Sequence, residues 1–104
     1  MKIQFNTDNH IKGKDKLTQP LIAIIDEGLS RYSHQITRVE AHLSDEDGNK
    51  DGQNDIRCVL EARVEGRQSI AVTNNADTHE QAVEGAVEKL MTSLETIIGR
   101  LSNH

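Results

Sequence analysis

The sequence predicts an α/β (α+β) fold: a two-layer sandwich of order β-α-β-β-β-α, with two helices on one face of a four-stranded sheet. Two adjoining stretches alternate with period two across residues 55–74, joined at Gly66. A stripe of Val83, Val87, Leu90, Leu94, Ile97 and Leu101 then steps by four and three, the spacing of one helix face. A second helical stripe recurs at Leu17, Leu21, Ile24, Ile25, Leu29 and Tyr32. Two helices with one apolar stripe each, and strands with one apolar face each, bury one another when stacked as two layers.

The elements follow in order. Ile3 and Phe5 alternate with Gln4 and Asn6, predicting a short strand from Lys2 to Thr7, followed by a polar, lysine-bearing loop from Asp8 to Lys16. The first helix is expected over Thr18 to Ser33. Pro20 suits a first helical turn and points to Thr18 as the N-cap. Gly28 costs about 1 kcal/mol against alanine inside that helix, and is expected to let it approach the sheet. From Ile36 to Ser44 the alternation returns, with Val39, Ala41 and Leu43 inward and Arg38, Glu40 and His42 outward. Residues 45–54 read as a loop. On the next strand, Asp55 to Glu65, Ile56, Cys58, Leu60, Ala62 and Val64 share one face, and Arg57, Glu61 and Arg63 the other, with Val59 the apolar exception. Gly66-Arg67 makes the hairpin turn into a strand over Gln68 to Asn74, and Thr78 or Asp77 caps the last helix.

The chain of 104 residues has room for one domain, expected to span 1–104, around a modest core. One Phe, one Tyr and no Trp make that core aliphatic. Nothing approaches the roughly 18 apolar residues of a membrane span, and no secretory signal is expected. A single cysteine forms no internal disulfide, which fits a reducing cytoplasm. The net charge of −5 is unevenly spread. Residues 44–55 carry five acids against Lys50, and residues 77–104 five acids against Lys89 and Arg100, whereas 1–43 and 56–76 are each at +1. Such a distribution excludes indiscriminate nucleic-acid binding through a broad basic surface, yet leaves room for a local basic patch.

Catalytic and metal motifs fail on spacing. Asp47, Asn49, Asp51 and Gly52 match the first, third, fifth and sixth positions of a calcium loop, but Cys58 stands at the twelfth, where a glutamate belongs, and strands flank the loop. An acidic strand connection is the better reading. The histidines at 10, 34, 42, 79 and 104 show no metal-ligand spacing with one another or with Cys58, itself on the inward face of its strand. No Gly-x-Ser-x-Gly or phosphate-binding glycine loop occurs. Neither an enzyme, a cofactor, a resident metal nor a small-molecule substrate is expected. The open sheet face, lined by Arg38, Glu40, His42, Arg57, Glu61 and Arg63, is the place for a partner, and opposite charges on neighbouring strands are its structural explanation.

The element order, together with Glu27-Gly28-Leu29-Ser30-Arg31-Tyr32, the hairpin Leu60 to Gly66 running on to Ile70-Ala71-Val72, and the helix residues Gln81-Ala82-Val83, Glu88-Lys89-Leu90 and Leu94, resembles the ribosome hibernation-promoting factor and ribosome-associated inhibitor A family, also called the sigma-54 modulation family. The likeness is to its short, single-domain members, without a C-terminal dimerisation domain. It implies a stress or stationary-phase factor that sits on the small ribosomal subunit, near the mRNA and tRNA channel, and contacts 16S rRNA. Arg31, Lys89 and Arg100 fall on basic positions of the family, and would hold phosphates without reading bases. Arg38, Arg57, Arg63 and Arg67 join them from the sheet argument. The chain departs from the family at Thr92 and Thr96, where further basic residues are usual, at Glu80, where a tyrosine is usual, and in the long acidic loop.

An alternative is an acidic protein-interaction module on the same scaffold, docking through the open sheet face or the loop; a calcium-responsive version of either, through Asp47, Asn49 and Asp51, is the third reading. The exposed sheet edges leave room for a weak homodimer. No membrane partner is expected.

Overall fold

A computed structural model describes residues 1–7, 14–45 and 55–102, apart from the side chains of 14–17 and 99–102. The acidic loop over 46–54, with the calcium-like pattern, lies outside the described residues. The elements are β1 (Lys2–Thr7), α1 (Lys14–Gly28), a 3-10 turn (Ser30–Tyr32), β2 (Ile36–Asp45), β3 (Ile56–Val64), β4 (Ile70–Ala76) and α2 (His79–Ser102). The sheet order is β1-β2-β3-β4, parallel between β1 and β2 and antiparallel elsewhere. Helix α1 packs on β1 and α2, and α2 packs on β4 and β3. The predicted two-layer fold is the one observed.

Period-two patterning puts Val39, Ala41 and Leu43 of β2 and Cys58, Leu60 and Ala62 of β3 in the core, with no more than 1% of their surface exposed. Leu21 and Ile25 of α1, Leu29 just after its end, and Val83, Leu90 and Leu94 of α2 close over them, fully buried. A bulge at Thr37 lets Ile36 and Val39 both face inward, although they lie three apart. The Thr37 hydroxyl fastens it by donating to Arg63 O at 3.1 Å.

Several boundaries differ from expectation. Helix α1 begins at Lys14 rather than Thr18, so Pro20 lies in its second turn. The proline removes the N–H that would reach back to Lys16, and burial of Leu21 and Ile25 just beyond holds the helix together. At the other end α1 stops at Gly28, and the 3-10 turn takes over, with Tyr32 N–H donating to Leu29 O at 3.0 Å and Ser33 N–H to Ser30 O at 3.2 Å. Gly28 meets α2 rather than the sheet: a Cβ there would lie 2.5 Å from Val87 Cγ1. Strand β4 runs two residues later than expected, because Gly66 (φ +74°) and the Arg67 N–H to Val64 O bond of 3.0 Å form a turn that leaves Gln68 and Ser69 outside the ladder.

Thr78 is the N-cap of α2. Its hydroxyl accepts from Gln81 N–H at 3.1 Å and its carbonyl from Ala82 N–H at 3.0 Å. Asn74 pins this helix to β4, its Nδ2 donating to Gln81 O at 3.3 Å and Ala82 O at 3.1 Å. A side chain at Gly85 would overlap that amide.

Candidate nucleic-acid interface

The second face of the sheet is open, and the strand register arranges its charges in rows. Lys2 of β1 aligns with Arg38 of β2, and Arg38 with Arg63 of β3. Three cations therefore lie side by side across three strands, spanning about 10 Å at the usual strand spacing. The next row holds Gln4, Glu40 and Glu61, and the one after it Asn6, His42 and Val59. Arg57 stands opposite Ser44 in the fourth row, about 20 Å from Arg63 along β3. Like charges thus oppose like across the β2–β3 ladder, where cross-strand opposite pairs were the expected account. Directly opposed like charges destabilise a sheet. The compensating pair runs along β2 instead, Arg38 Nη2 to Glu40 Oε1 at 2.9 Å, with a second bond from Arg38 to the Gln4 side-chain oxygen. Arg38 is consequently anchored and half-buried, whereas no ion pair holds Lys2 or Arg63 among the described residues.

The cationic row lies at the hairpin end of the sheet. Arg67 projects from the turn at that end, and Ile36, first residue of β2, pairs with Val64, last of β3. Arg31, just before β2, rests its guanidinium 5.6 Å from the centroid of the buried Tyr32 ring and 4.0 Å from Glu95. That ion pair is exposed on both sides and contributes little, leaving Arg31 available to a phosphate. Of the seven expected contacts, then, Arg31, Arg38, Arg63 and Arg67 share one end of the molecule, and Arg57 does not. Lys89 stands apart on α2, donating from its ammonium to Thr73 O at 2.8 Å on the outer edge of β4. The side chain of Arg100 lies outside the described residues. Sequence reasoning missed Lys2. Its place depends on β1 pairing parallel with β2 in one register, which a β-α-β order permits but does not fix.

The helical layer carries the opposite charge. Glu80, Glu84, Glu88 and Glu95 are all exposed on α2, and Asp26 and Glu27 on α1. Thr92 and Thr96 bond back to their own helix at Glu88 O (3.1 Å) and Thr92 O (3.0 Å). Burial of Cys58 pushes its thiol up to about 12, which keeps it protonated and inert in the core. Among the described residues no group of three metal-ligating side chains gathers, and no helix is long and apolar enough to cross a membrane.

A two-layer α+β domain with one cationic end and an acidic helical face is the class this geometry defines. Residues 9–102 match the family described as sigma 54 modulation protein / S30EA ribosomal protein, and the chain belongs to that family. In fold it is similar to the N-terminal domain of Thermus thermophilus Protein Y, with a TM-score of 0.67 at 17% identity over 93% of this chain and 99% of that one. It is likewise similar to a ribosomal subunit interface protein from Coxiella burnetii, with a TM-score of 0.71 at 15% identity over 95% of this chain and 99% of that one. A sequence search of curated proteins finds no match.

Proposed function

We propose that this chain is a non-enzymatic cytoplasmic factor that associates with the ribosome, binds 16S rRNA of the small subunit and modulates or silences translation while ribosomes are idle. Membership in a family described by a ribosomal protein, and likeness in fold to a ribosomal subunit interface protein, support the ribosome as partner. The observation that carries the RNA reading is the row Lys2, Arg38 and Arg63 on the open sheet face, with Arg67 in the turn at the same end. Cations at fixed spacing on a rigid sheet hold phosphates and set orientation, without reading sequence. The acidic face of α2 then points away from the RNA, since like charge repels it. Co-sedimentation with small subunits at low and at physiological salt tests the proposal: pelleting that weakens steeply with salt supports it. Absence of pelleting in both conditions, from a folded sample, refutes it.

A second reading rests on the exposed row Glu80, Glu84 and Glu88 along α2, whose like-charge spacing of four costs helix stability. An acidic module docking a basic protein would use that face. It predicts capture that survives digestion of the RNA.

A further inference from the structure

Where the hairpin turn meets the last part of α2, a groove of about 430 Å³ opens, lined by Gly66, Arg67, Gln68, Ser69, Ile70 and Ile97. Its size falls within the range of small-molecule sites. Two branched aliphatic side chains from different elements form its apolar part. Both are only half-buried, because Ser69 and Gln68 leave the ladder just before Ile70 joins it. The rim is polar: an amide at Gln68, a hydroxyl at Ser69, and the Arg67 guanidinium, which no carboxylate pairs among the described residues. Among the described residues no acidic side chain lines the groove. Above Gly66 a Cβ would meet nothing within 4 Å, so the turn leaves its mouth open.

We infer that this groove receives one nucleoside phosphate, the base lying against Ile70 and Ile97 and the phosphate on Arg67. The ligand it suits has a flat, largely apolar body, polar edges and one anionic group at its end. Apolar side chains accept the face of an unstacked base, and the amide of Gln68 suits a purine edge, to which it offers both a donor and an acceptor. A phosphate on Arg67 gains a charge-assisted, forked contact. The inference rests on the RNA reading above and deepens it. Arg63 and Arg67 belong to the same hairpin, and Ile70, opposite the buried Ala62, faces the helical layer, so a strand held by the cationic row reaches the groove by passing round the hairpin turn. The same chemistry is found in a free nucleotide.

Amide-resolved NMR of the full chain, titrated separately with AMP and with a short oligoadenylate, tests it. Saturable shifts at Gly66 to Ile70 and at Ile97 are expected. Shifts with AMP identify free nucleotide as a source, and shifts with the oligoadenylate alone identify the RNA strand. Arg67→Ala, at an exposed turn position, should weaken binding about tenfold, the scale of one charge-assisted hydrogen bond. Ser69→Trp, also exposed, should fill the groove and abolish these shifts. Shifts confined to Lys2, Arg38 and Arg63, or none with either probe, would overturn the inference. Co-sedimentation with small subunits by Ser69→Trp would show that the ribosome reading stands even then.

Discussion

Gly85→Ala should destabilise the protein, although alanine is the better helix former. On an unpartnered helix the change gains about 1 kcal/mol. Here the new Cβ overlaps Asn74 Nδ2 and lies 2.7 Å from its Cγ, so the whole amide must swing away. Its bonds to Gln81 O and Ala82 O are then lost, at about 1 kcal/mol each. Forcing an extra methyl into a packed contact costs a further ~1–3 kcal/mol. The balance is about 2–4 kcal/mol of lost stability, or roughly 10–30 °C in Tm for a domain of this size. Thermal and urea unfolding followed by far-UV circular dichroism reads it. The pair should also couple: with Asn74→Ala already in place, Gly85→Ala should cost nothing or stabilise. A Gly85→Ala protein with equal or higher Tm would refute the account of how α2 is fixed to β4.

Three further outcomes follow from the same geometry. Cys58 should resist an aromatic disulfide reagent at pH 8 in the folded protein and react once urea unfolds it. Its thiol is raised from 9.0 to about 12 by burial, so its contribution to stability is complete below pH 9 and is lost as pH rises towards 12, a dependence that Cys58→Ala should remove in alkaline unfolding curves. Thr78→Ala removes the cap on Gln81 N–H and should lower stability by about 1 kcal/mol, read from the urea midpoint. Lys89→Ala takes the ammonium off Thr73 O on the outer edge of β4. Self-association that grows with concentration in sedimentation velocity is the expected result, and unchanged sedimentation would mean that the lysine does not guard the edge.

The two-layer fold was legible because each element announces its own buried face. Val39, Ala41 and Leu43, Cys58, Leu60 and Ala62, and the stripe from Val83 to Leu94 all lie where periodicity put them. Contacts that depend on how elements meet were not. Gly28 faces Val87 of α2 where the sheet was expected, and Gly85 faces Asn74, each partner distant in sequence. Pro20 misled the start of α1, because burial beyond it outweighs one missing backbone bond. The candidate site was legible by residue type and not by arrangement. Alternation put Arg38, Arg57 and Arg63 outward, but only the ladder register sets Arg38 beside Arg63 and Lys2, and leaves Arg57 in a distant row.

The most direct test of the RNA-binding end is the salt dependence of small-subunit binding, compared between the wild type and Lys2→Ala/Arg63→Ala. Neither residue holds an ion pair among the described residues, so the fold should be unaffected. If each holds one phosphate, the log–log slope should flatten by about 1.4–1.8, two contacts at roughly 0.7–0.9 apiece, and affinity should fall with it. Wild-type slope and affinity in the folded double variant would contradict the claim that the cationic row of the open sheet face meets the RNA.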